Sequence, residues 1–75
     1  MSQDEHAVIL VHATSHALRA EKILARAGIP CKLIPVPRHL SSDCGVCIRI
    51  ERPDREAAQR YLVDAQLEID AAHDI

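Results

Sequence analysis

The sequence contains no phenylalanine and no tryptophan, and Tyr61 is its one aromatic residue. A sheet without aromatics offers no platform for stacking RNA bases, so RNA recognition of that kind is excluded. The core must be built from Ala, Val, Ile and Leu. Glycine occurs only twice, which excludes a Gly-rich phosphate loop. There is no cationic excess either. The formal net charge is −2, too little positive field to hold a nucleic-acid backbone. The longest apolar run is residues 7–11, far short of the ~20 residues that a membrane span needs. No charged segment followed by an apolar one opens the chain, so the cytoplasm is the expected location. The three cysteines are an odd number, which argues against a disulfide framework and for reduced thiols.

What is present suits one small domain spanning residues 1–75. Hydrophobic residues make up 48 % of the chain, enough for a globular core. A domain this short buries only about 60 % of its unfolded surface, and a homodimer covering part of the sheet would add to its stability. Residues 1–6 are polar and expected to fray. Residues 7–11 form a β-branched apolar run and read as a buried strand. Thr14 or Ser15 then caps a helix. Ala17, Ala20, Leu24 and Ala27 recur at helical spacing with Ile23 beside them, and Gly28 stands where a helix favours a left-handed residue. Cys31 to Ile34 reads as a second strand. It ends at Pro35, and Pro37 follows, which prevents further ladder pairing. Residues 46–51 alternate: Val46, Ile48 and Ile50 face one way, Cys47, Arg49 and Glu51 the other. Pro53 opens a second helix with Asp54 and Glu56 in its first turn. Its stripe is Ala57, Ala58, Tyr61, Leu62 and Ala65. Residues 67–71 read as a weak fourth strand.

The order β-α-β-β-α-β predicts an α+β, ferredoxin-like fold: a four-stranded antiparallel sheet with both helices on one face. The link between the second and third strands, residues 35–45, exceeds the usual hairpin loop of about 2–5 residues, and long ordered loops are often functional.

That link carries Cys44. A thiol reacts as its thiolate, and nearby cations or backbone N–H groups lower its pKa. Arg38 and His39 lie within loop reach. Ser41 and Ser42 can pin the turn through hydroxyl-to-backbone bonds. Gly45 permits a left-handed turn. Asp43 opposes thiolate formation unless it points elsewhere. The competing reading is a small buried loop residue, since unpaired Cys is among the most buried types. Cys47 completes a C-x-x-C, but the residues that follow alternate as a strand. Extended, the two Cα atoms lie about 10 Å apart, beyond the ~7 Å disulfide limit. Cys47 reads as a half-covered strand residue and Cys31 as structural. His12, His16, His39, Cys44 and Cys47 supply no recognised metal-ligand spacing. Three cysteines also fall short of the usual four of an iron–sulfur cluster. Neither a metal nor a cofactor is expected.

Residues 14–22 (Thr-Ser-His-Ala-Leu-Arg-Ala-Glu-Lys), Ala27-Gly28-Ile29, Leu33-Ile34-Pro35-Val36-Pro37-Arg38 and Ser41-Ser42-Asp43-Cys44-Gly45 together resemble a family of small domains, the Se/S carrier protein-like family. The resemblance runs from about His6 to Ala71, and P-x-P-R…S-S-x-C-G is its most specific part. It implies that Cys44 carries sulfur or selenium as a persulfide or selenopersulfide. The partners it implies are a chalcogen donor (a desulfurase or selenium-handling enzyme) and an acceptor enzyme. Such a protein is a carrier or co-substrate rather than a stand-alone enzyme. In this reading Arg38 lowers the thiol pKa and holds the anionic adduct, and His39 exchanges a proton. Ser41, Ser42, Asp43 and Gly45 shape the loop. Two alternatives stand beside it. One is a non-catalytic regulatory or protein-interaction module of the same fold. The other is a thiol redox or metal-binding protein that uses Cys44 with Cys47.

Overall fold

Four strands, β1 (His6–Leu10), β2 (Cys31–Pro35), β3 (Val46–Glu51) and β4 (Ala71–Asp74), form one sheet in the order β2-β3-β1-β4, with every neighbouring pair antiparallel. The computed structural model describes residues 5–40 and 45–75. In chain order the elements are β1 (His6–Leu10), α1 (Thr14–Arg26), β2 (Cys31–Pro35), β3 (Val46–Glu51), a 3₁₀ turn (Arg52–Asp54) that takes up Pro53 and Asp54, α2 (Arg55–Asp64) and β4 (Ala71–Asp74). This is the predicted α+β, ferredoxin-like arrangement.

Period 2 in the strands and period 3.6 in the helices meet in one main core. Ala7, Ile9, Ile48 and Ile50 from the sheet pack against Ala17, Ala20 and Leu24 of α1 and Ala58 and Leu62 of α2. The side chain of Leu62 is fully buried, a burial that contributes about 1.5–3 kcal/mol. The stripe of α2 is narrower than the sequence suggests. Ala57 is exposed and Tyr61 is 46 % exposed, so Ala58 and Leu62 alone are buried on that helix.

Both helices end in the same device. Gly28 has φ +79°, and the N–H groups of Gly28 and Ile29 donate to the carbonyls of Ala25 and Leu24. Gln66 has φ +62°, and the N–H groups of Gln66 and Leu67 donate to the carbonyls of Val63 and Leu62. These are Schellman motifs, and each is closed by an apolar residue (Ile29, Leu67) buried in the main core.

The second motif explains a departure from expectation. Leu67 is the apolar residue that locks the end of α2, so residues 67–70 are not a strand and β4 starts at Ala71. At the other helix, Ala13 occupies the N-cap and Thr14 is already helical, so neither Thr14 nor Ser15 is the cap residue. His6 is the first residue of β1 rather than part of a frayed end, and Val11 lies just beyond the strand.

The face of the sheet away from the helices is also partly apolar. Val8, Leu10 and Cys47 are buried there, with Ile34, Val36, Leu40 and Ala71 packed against them. Leu40 comes from the β2–β3 link, so that link contributes to a second, smaller core.

Candidate functional site

Strand register brings several chain segments to one end of the sheet. Leu10 pairs with Cys47 and with Ala71, and Ile34 also pairs with Cys47. The last residues of β1 and β2 therefore meet the first residues of β3 and β4. The link from β2 to β3 leaves from this end. So does the turn at His12 and Ala13 that leads into α1.

The base of the link is held by backbone bonds. The ladder continues one residue past Pro35, because the Val36 N–H donates to the Gly45 carbonyl at 3.1 Å. Pro35 is tolerated because β2 is an edge strand. The loop proper thus shortens to residues 37–44. Its first part is a tight turn closed by the Leu40 N–H donating to the Pro37 carbonyl at 3.0 Å. Arg38 and His39 occupy the two central positions, and both are exposed. Leu40 turns back onto Val8, Leu10 and Cys47. Ser41, Ser42, Asp43 and Cys44 lie outside the described residues.

Gly45 does not adopt a left-handed conformation. Among the described residues positive φ occurs at Gly28 and Gln66 alone. A Cβ at Gly45 would meet nothing within 4 Å. The need for glycine expected here therefore has no backbone cause in the described geometry.

The other two thiols are poorly suited to attack. Cys47 is fully buried rather than half-covered. Cys31 is half-buried at the far end of the sheet, opposite Ile50, and packs against the helix-side core. Burial, and then the Glu21 carboxylate, push its thiol above the ordinary value. Its Sγ lies 3.8 Å from the Glu21 carbonyl oxygen, a weak hydrogen bond. Cys31 and Cys47 also face opposite sides of the sheet, so the two cannot form a working dithiol.

His12 is exposed before the helix, while His16 is half-buried within its first turn. The Nδ1 of His16 is buried without a hydrogen-bond partner. Among the described residues no three His, Cys, Asp or Glu side chains gather as a metal site would require. Also among them, no helix is long and apolar enough to cross a membrane.

The family model described as "Putative Se/S carrier protein-like" matches residues 6–74. The chain belongs to that family. No curated protein and no solved structure matches it. The match spans every strand and both helices, together with the whole β2–β3 link.

Leu40 and Val36 escaped the sequence reading as anchors of the link. Their signal was present: two apolar side chains flank Pro37-Arg38-His39 in an otherwise polar stretch.

Proposed function

We propose that this protein carries sulfur or selenium on Cys44 and hands it to a partner enzyme. The observation that carries the reading is the family match over residues 6–74, which includes position 44. The distribution of thiols supports it. Cys47 is buried, and the Cys31 thiol is pushed up by burial and by Glu21. Neither is a good nucleophile, because the thiolate is the reactive form and burial disfavours it. Burial also makes Cys47 a poor resolving thiol. That favours a carrier over a C-x-x-C redox couple, since a resolving Cys expels the cargo as it closes a disulfide.

Transfer is an exchange between sulfur atoms. The Cys44 thiolate attacks the outer chalcogen of a donor persulfide. A bond forms between Cys44 Sγ and that atom, the donor's S–S or S–Se bond to it breaks, and the donor leaves as a thiolate. No external oxidant or reductant is consumed. The reverse exchange with an acceptor thiol unloads the carrier. Arg38 and His39, both exposed in the turn before Cys44, supply a cation and a proton-exchanging ring for the adduct.

The test is intact mass spectrometry of the reduced protein after incubation with a cysteine desulfurase and cysteine. A reducible one-sulfur adduct on the wild type and on Cys47→Ser, absent from Cys44→Ser, is the expected result. An adduct that survives Cys44→Ser, or none on any variant, overturns the reading.

A further inference from the structure

The sheet face away from the helices is not uniform. At the end near the loop it is apolar, with Ile34, Cys47, Leu10 and Ala71 in one cross-strand row. The next row is Lys32, Arg49, Val8 and His73. Lys32 and Arg49 are direct partners across β2 and β3. Paired strand residues project to the same face, so two cations stand side by side. Like charges directly opposite each other destabilise a sheet. Among the described residues neither one makes an ion pair. Glu51 lines the same recess on the same face, two residues from Arg49, and among the described residues makes no ion pair with either cation.

A recess of about 260 Å³ opens at this position, its charged and titratable lining His6, Cys31, Lys32, Arg49 and Glu51. That volume is below the roughly 300–1,000 Å³ typical of sites for organic ligands. It admits a small ion with part of its water shell. Arg49 is half-buried and so partly held in place, while Lys32 is exposed. A guanidinium fork and an ammonium point charge are the pair that recognises oxyanions. The recess lies two to four residues along β3 from Cys47, about 7–13 Å at strand rise, and away from the loop.

We propose that this recess binds a small, multiply charged oxyanion, with Arg49 and Lys32 as its ligands. One dianion neutralises both cations and removes their mutual repulsion. Glu51 at the rim opposes binding and so limits affinity.

The probe is inorganic phosphate, titrated into the wild-type protein at constant ionic strength and followed by backbone amide shifts in ¹H–¹⁵N NMR spectra. Saturable shifts at Lys32, Arg49 and Glu51 are expected, with no saturable response to chloride alone. Arg49→Gln and Lys32→Gln should each weaken binding by about tenfold, as expected for losing a charge-assisted contact. Glu51→Gln should tighten it. Lys32 is exposed, so its variant reports even if Arg49→Gln fails to fold. A response that does not saturate, or that is unchanged in both Gln variants, overturns the proposal. So does one centred on the first turn of α1.

Discussion

Cys47 stands directly opposite Leu10 across the β1–β3 ladder, and both side chains are buried. Its thiol therefore belongs to the small second core. In the native protein Cys47 should resist iodoacetamide and become reactive only with global unfolding. Mass-mapped alkylation across a urea series checks this. Modification of Cys47 well before the unfolding midpoint would show that the second core opens independently. Cys47→Ala removes little volume and should be tolerated better than Cys47→Asp, which buries a charge.

The two helix ends offer a matched pair of substitutions. Gln66 holds a left-handed conformation that L-residues adopt at a cost of about 1 kcal/mol or more. Gln66→Gly should stabilise the protein by about 0.5–1 kcal/mol, less any entropy that glycine adds to the unfolded chain. Gly28→Ala should destabilise it by a similar amount. A new Cβ there meets nothing within 4 Å, so the cost lies in the backbone alone. For a domain of this size 1 kcal/mol moves Tm by roughly 4–8 °C, easily seen by calorimetry. Equal Tm values for wild type and Gln66→Gly would contradict the argument.

Asp74 ties β4 to the start of α2. Its Oδ1 accepts a hydrogen bond from Arg55 Nη1 at 2.8 Å, and Oδ2 lies 3.7 Å from Arg52 Nε. Arg52 Nη2 also donates to the Ile75 carbonyl at 3.0 Å. Asp74 is 44 % exposed in its side chain, so water and salt weaken the pair. Asp74→Asn should cost about 0.2–1 kcal/mol, and high salt should shrink the difference. Urea midpoints at two ionic strengths measure it. A loss of several kcal/mol would mean that β4 depends on this clamp.

Cys31 gives a pH signature. Its pKa is raised in the folded state by burial and then by Glu21. The folded protein therefore holds the thiol proton to higher pH than the unfolded chain does. The resulting stability is complete below the ordinary thiol range and is lost as pH rises through the raised value. Wild type should lose more stability between neutral and alkaline pH than Cys31→Ser. Parallel pH–stability curves for the two would contradict the assignment.

Much of the fold is legible in local pattern. The alternation of residues 46–51 and the helical recurrence of Ala17, Ala20 and Leu24 assign faces directly, and Gly28 announces the end of α1. Gln66 carries no such announcement, because its left-handed turn belongs to a motif closed by Leu67, whose burial depends on the distant parts of the core. That is why the fourth strand read four residues early. Tyr61 looks like a core residue by spacing, yet α2 presents only a narrow stripe and leaves it at the margin.

The sequence by itself determined the element order, the number of thiols and the loop that holds Cys44, since each depends on local spacing and composition. Tertiary structure decided the cross-strand partners. Period 2 states which face a side chain takes but not what stands opposite, because register is set by non-local pairing. It is register that buries Cys47 beside Leu10, places Leu40 above them, and sets Lys32 against Arg49.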